Sequence, residues 1–207
     1  MLSRLLLISV LSVSLFALPG PARADTGGAA AGVKAVLDRA MEIQTDPSLT
    51  GEANRKERAK LIRKLISESF LPGDMARAAL DGQWDKLSSK QRTEFQELFA
   101  GLFQDSYTRM VLNFLQKESI EYRGETAADK AVWVKTVIMR ANEHIPVNYS
   151  VIQKNGRWLI KDVEIDGVSI VDNYKNTFRK AIQTASFEGL MQKMRLQRQA
   201  SGTDSAS

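Results

Sequence analysis

The sequence predicts an α+β domain in which helices pack on one face of a curved, mainly antiparallel four-stranded sheet, with an apolar cavity between the two layers. Three observations predict it. Before Ser119 the apolar residues recur at helical spacing; from Ser119 they alternate, with β-branched and aromatic residues replacing Leu and Ala; after Ser169 the helical spacing returns. The connections between the alternating segments are short, which makes the strands antiparallel.

Residues 1–24 read as a secretory signal peptide. Arg4 precedes the apolar run 5–18, and Ala22-Arg23-Ala24 is a small-x-small cleavage site. The run is interrupted by Ser9, Ser12 and Ser14 and is shorter than the roughly 20 apolar residues a membrane span needs. The expected mature chain is one domain, 25–199, followed by a disordered Ser/Ala/Gly-rich tail, 200–207. With no cysteine in the chain, an exported protein of this kind depends on its core alone.

After a Gly/Ala stretch, Val33, Val36, Leu37, Ala40 and Met41 mark a first helix, ended by the loop 45–51. Leu61, Ile62, Leu65 and Ile66 mark a second, which Leu71-Pro72-Gly73 breaks. Asp74 is the expected cap of a short helix through Leu80. Ser88 and Gln91 form a capping box, in which each side chain satisfies a backbone donor orphaned by the start of a helix. That helix is the longest, and its stripe runs from Phe95 through Phe99, Phe103 and Met110 to Leu115.

Four strands follow, over 120–123, 130–140, 145–153 and 157–165. Asn155-Gly156 supplies the positive φ angles of a tight hairpin between the last two. Two helices close the chain. One, over 170–185, buries Val171, Tyr174, Phe178 and Ile182; the other, from Phe187, buries Leu190, Met191 and Met194.

Charge excludes little. The chain carries 29 basic and 24 acidic residues; loss of Arg4 and Arg23 with the leader leaves 27 against 24, a net charge of +3. The basic residues at 55–58 and 63–64 are mixed with acids or spaced along a helix face, unlike the concentrated basic element of a nucleic-acid binder. Weak attraction to anionic lipid headgroups is compatible with this balance.

Catalytic chemistry finds few candidates. His144 is the single histidine, placed between two strands, and there is no cysteine, which argues against acyl-transfer triads and histidine-bearing metal sites. Asp162, Glu164 and Asp166 alternate on one strand and so share a face, a pattern open to a hard cation or to a solvated, base-paired surface. What the sequence has in excess is apolar helix surface. A Phe-rich stripe serves either as core or as the wall of a ligand pocket.

The segment 156–174, from Gly156-Arg157-Trp158 through Asp162-Val163 and Gly167-Val168-Ser169 to Asn173-Tyr174, resembles the signature stretch of the MlaC family, also called the toluene-tolerance auxiliary family. Leu80-Asp81-Gly82-Gln83-Trp84, with Leu87-Ser88 and Gln91-Arg92 onward to Tyr107, resembles that family's central helix and its lead-in, and Phe187-Glu188-Gly189-Leu190 resembles its C-terminal element. The resemblance covers nearly the whole mature chain in order. Lys175 departs from a frequent Arg, Ser150 from a frequent basic residue, and Asp81 from a frequent Gly.

The resemblance implies a periplasmic, non-enzymatic carrier with no cofactor, holding a phospholipid as its ligand. Its implied partners are an inner-membrane ABC transporter with an MCE-domain protein and an outer-membrane lipoprotein complex, with the carrier itself a monomer. A hopanoid-associated branch, the HpnM type, would carry a pentacyclic lipid instead. The expected pocket lies between the central helix and the sheet, lined by Leu98, Phe99, Leu102, Phe103, Val147, Tyr149 and Val168. Two other readings stay open: an enzyme of nuclear-transport-factor-like general shape with polar groups in the cavity, and a protein-binding adaptor with a filled core.

Overall fold

The Ser88–Gln91 capping box is present in the computed structural model, with both reciprocal bonds formed, and it starts the longest uninterrupted helix. The structure describes residues 28–115 and 118–204; the expected leader 1–24 and the last three residues of the expected tail lie outside them. Helix α1 spans Ala29–Thr45, α2 Arg55–Ser69, α3 Pro72–Leu80 and α4 Ser89–Phe114. Asp74 sits in the first turn of α3 and does not cap it. Pro72 opens that helix, where its missing N–H costs nothing.

The sheet has five strands, not four: β1 Ser119–Ala128, β2 Ala131–Arg140, β3 Glu143–Lys154, β4 Arg157–Ile165 and β5 Val168–Ser169, in that spatial order and antiparallel throughout. The fifth strand escapes the sequence reading because it is two residues long, too short for any alternation. It exists because Asp166 (φ 49°) and Gly167 (φ 78°) turn the chain back on β4. Asn155 (φ 53°) and Gly156 (φ 73°) make the expected tight turn between β3 and β4. β1 runs on to Ala128, well past Arg123, because β2 offers partners along its whole length.

Two irregularities shape the sheet. The register passes over Arg123 in β1 and over Lys161 in β4, so each is an extra residue that bends its strand. In a regular strand Ile160 and Val163 would face opposite sides, being three residues apart. The extra Lys161 brings both to the helix side, where both are buried.

The last helix, α5, spans Ile170–Asp204 and is broken at Ser186 (φ 67°), which gives the two helical segments the sequence predicts. It extends into the stretch for which composition predicts a tail.

The stripe of α4 divides into two parts with different neighbours. Phe95 and Phe99 pack against rings of α5: Phe95 meets Phe178 edge-on at 5.5 Å, and Phe99 meets Tyr174 edge-on at 5.0 Å. Phe103 closes the cluster against Phe70 and Tyr107. Helix α1 crosses the helix-facing side of the sheet, touching β1 to β4. Its approach to β4 depends on glycine, since a Cβ on Gly32 would lie 2.7 Å from the Trp158 Cβ. At its N-terminus, Glu125 of β1 accepts a 2.5 Å hydrogen bond from the Ala30 amide, a carboxylate against the positive end of the helix.

Candidate functional site

Between α1, α2, the C-terminal half of α4 and the helix-facing side of the sheet lies a cavity of about 390 Å³. Each wall follows from a local pattern. Val36, Leu37 and Ala40 lie on one stripe of α1, and Ile62, Leu65 and Ile66 on one stripe of α2. From α4 come Tyr107, Met110, Val111 and Phe114, with Leu115 at its end. The sheet supplies cross-strand neighbours that share a face: Ile138 opposite Ile145, Val147 opposite Ile165, and Tyr149 opposite Val163.

The lining is almost wholly apolar. Its charged members are Arg140 and Glu143, at the end of β2 and the start of β3. Arg140 donates from Nη2 to the Phe114 carbonyl at 2.5 Å, and lies 3.3 Å from Glu118 and 3.8 Å from Glu143. The 3.3 Å contact with Glu118 is made by the buried Nε, an ion pair that lacks hydrogen-bond geometry. Burial raises the Tyr107 and Tyr149 phenols well above the usual tyrosine range, the first reinforced by Tyr174 and Asp162 and the second by Tyr122. Both remain neutral at physiological pH, so neither adds charge to the cavity.

Of the residues expected to form the pocket, Val147 and Tyr149 line this cavity. Phe99 is buried two turns earlier on α4 against Tyr174 and Phe178 of α5, and Phe103 one turn earlier against Phe70, Phe99 and Tyr107. Leu98 and Leu102 are partly buried against the core and lie outside the lining. Val168, on the two-residue edge strand, is 60% exposed and also lies outside it. The contributions of α1 and α2 are absent from the sequence-based set. Their stripes are visible in the sequence, but which stripe meets a partner and which faces a void is a property of packing.

The alternating carboxylates separate into three structural roles. Asp162 accepts from the Ser169 hydroxyl at 2.6 Å and from the Val171 amide at 3.1 Å, holding the start of α5. Glu164 accepts from Asn148 at 2.8 Å, and Asp166 forms the β4–β5 turn. Among the described residues no group of three or more His, Cys, Asp or Glu side chains could hold a metal ion. His144 is exposed and lies within β3, not in a loop before it. Two departures from the family pattern meet each other: Lys175 pairs with Asp81 at 3.0 Å. Asp81 stands at φ 50°, a conformation that glycine adopts without strain.

No curated protein matches the chain. Among solved structures it is similar to a phospholipid-binding protein from Ralstonia solanacearum in complex with a phospholipid. The two are 22% identical, the match covers 84% of this chain and 98% of that one, and the TM-score is 0.71. That likeness concerns the fold. The sequence itself carries the stronger finding: residues 34–196 match the family model described as MlaC protein, so the chain belongs to the MlaC family.

Proposed function

We propose that this protein is a non-enzymatic phospholipid carrier of the periplasm, and that the 390 Å³ cavity takes an acyl chain. The observation that carries the reading is the cavity's composition: aliphatic and aromatic walls from both layers, with charge confined to Arg140 and Glu143. Family membership and the phospholipid held by the structural relative support it. Arg140, the one cation of the lining among the described residues, is the group suited to a headgroup phosphate, which would compete with Glu118 and Glu143 for its guanidinium.

Size sharpens the proposal. A cavity of about 150 Å³ is enough for the six carbons of benzene, so 390 Å³ on that scale holds about 15 carbons, one acyl chain. A second chain requires the walls to part. Burial is worth about 0.8 kcal/mol per methylene, so two chains of roughly 30 methylenes together would lose more than 20 kcal/mol if left in water. Because chains are equally apolar in a bilayer, the free energy of transfer is a small difference. Direction then comes from partners, for which the family resemblance implies an inner-membrane ABC transporter with an MCE-domain protein and an outer-membrane lipoprotein complex.

Detergent-free purification of the mature chain, followed by extraction and mass identification of bound lipid, tests the reading. Stoichiometric phospholipid supports it. A hopanoid would reassign the ligand to the pentacyclic class of the HpnM branch. A protein that neither carries lipid nor extracts it from vesicles of either kind would contradict the carrier and favour an adaptor.

A further inference from the structure

Helices α2 and α4 separate two unlike spaces. Toward the sheet they present Ile62, Leu65, Met110 and Val111 to the apolar cavity; on their other side they bound an open groove of about 700 Å³. Five cations line that groove, Arg55, Lys56, Lys60 and Arg63 from α2 and Arg109 from α4, against the acids Glu52 and Asp105.

The charge balance is more one-sided than this count. Asp105, 5% exposed at its side chain, is bonded by both Arg63 and Arg198 of α5, so its single negative charge is already exceeded by two guanidinium groups. Arg55 reaches Glu52 at 3.8 Å and donates to Asn113, and Lys60 lies 3.5 Å from Glu57. Lys56 and Arg109 have neither a hydrogen bond nor an ion pair among the described residues. A second observation is independent of charge. Thr108 lines the same groove, is 6% exposed, and its hydroxyl has no hydrogen-bond partner among the described residues. A buried hydroxyl left unpaired in a native fold calls for a ligand or a solvent molecule.

We propose that the groove between α2, α4 and the end of α5 is an oxyanion site that takes a phosphate group, with Lys56 and Arg109 as its free cations and Thr108 as a hydroxyl donor. Several cations spaced over two turns of α2 suit a compact group with several charged oxygens, and guanidinium and hydroxyl donors match that geometry. Concavity favours a small group over a flat acidic protein surface. The phosphate could be that of a free ion or ester in solution, or that of an anionic lipid headgroup at a bilayer surface. This site is separate from the acyl-chain cavity and stands whether or not that cavity holds lipid.

The test uses the isotope-labelled mature chain. Amide NMR signals of residues 55–63 and 105–109 are followed during titration with inorganic phosphate and glycerol phosphate, against chloride at equal ionic strength. In parallel, flotation with phosphatidylglycerol vesicles is compared with phosphatidylcholine vesicles. Groove-localised, saturable shifts with the soluble phosphates identify a solution ligand. Salt-sensitive recruitment to phosphatidylglycerol vesicles without such shifts identifies the headgroup. In either case Lys56→Glu with Arg109→Glu, and the milder Lys56→Gln with Arg109→Gln, should weaken binding roughly tenfold or more while circular dichroism and the lipid content of the cavity stay unchanged. Absence of both responses, equal binding in the folded variants, or binding of an acidic peptide alone would overturn the proposal.

Discussion

Val147 and Val168 are both valines of the sheet region, both were candidates for the ligand pocket, and the structure places them in opposite surroundings. Val147 is 4% exposed and lines the cavity between Thr136 and Ile165, whereas Val168 is 60% exposed on the edge strand. Val147→Glu puts a carboxylate where it loses its hydration and should abolish lipid retention. Val168→Glu should leave lipid content at the wild-type level. Lipid-to-protein ratios of the two purified variants check the pair, and equal ratios would remove the cavity from the account.

Asp162 makes a pH-dependent prediction. Burial raises its carboxyl above the ordinary 3.8, although hydrogen bonds from Ser169, Val171 and Val163 act in the other direction. The folded state therefore holds this proton more tightly than the unfolded chain does. The stability it contributes is complete below pH 3.8 and is lost as pH rises through the raised folded value. Relative to Asp162→Asn, the wild type should lose stability as pH rises from 3.8 through the raised folded value, read from urea midpoints at each pH. A wild type that instead gains stability over this rise in pH would show that the hydrogen bonds, not burial, govern the group, and a constant difference that the two cancel.

At the scale of elements, α1 packs closely on Trp158 one turn before Val36, the first of its residues to line the cavity. A side chain at residue 32 would collide with the Trp158 Cβ, which is fixed to the backbone and cannot swing away. Gly32→Leu should lift this end of α1, cost about 1–3 kcal/mol of stability and reduce lipid retention together. Chemical unfolding and lipid content measured on one preparation check both, and an unaffected variant would mean that α1 does not depend on this approach.

Local chemistry made several elements legible. Ser88 with Gln91 marked the start of α4, Asn155-Gly156 the β3–β4 turn, and the change of spacing around residues 185–187 the break at Ser186. What sequence could not show depends on partners distant in the chain. The length of β1 is set by β2, β5 exists through a turn against β4, and Ile160 reaches the core only through the extra residue Lys161. The site was half legible for the same reason. The Phe stripe was visible along α4, but Phe95 and Phe99 are filled against α5 while Met110, Val111 and Phe114 border empty space. Only the packing of α5 distinguishes the two halves.

In the whole molecule, the helical layer and the sheet leave an apolar void between them where most folds of this size close their cores. Such a void weakens the ligand-free protein, because its walls lack contacts they would otherwise make. Ala40 lies on α1 at the cavity wall, and Ala40→Phe fills space without introducing charge. The most direct measurement is native mass spectrometry of wild type and Ala40→Phe after the same incubation with phospholipid vesicles. The account predicts a wild-type mass increased by one lipid and a folded, lipid-free variant with thermal stability at least equal to that of the lipid-free wild type. Equal lipid loading in both proteins would contradict it, since the chain would then be held somewhere other than this cavity.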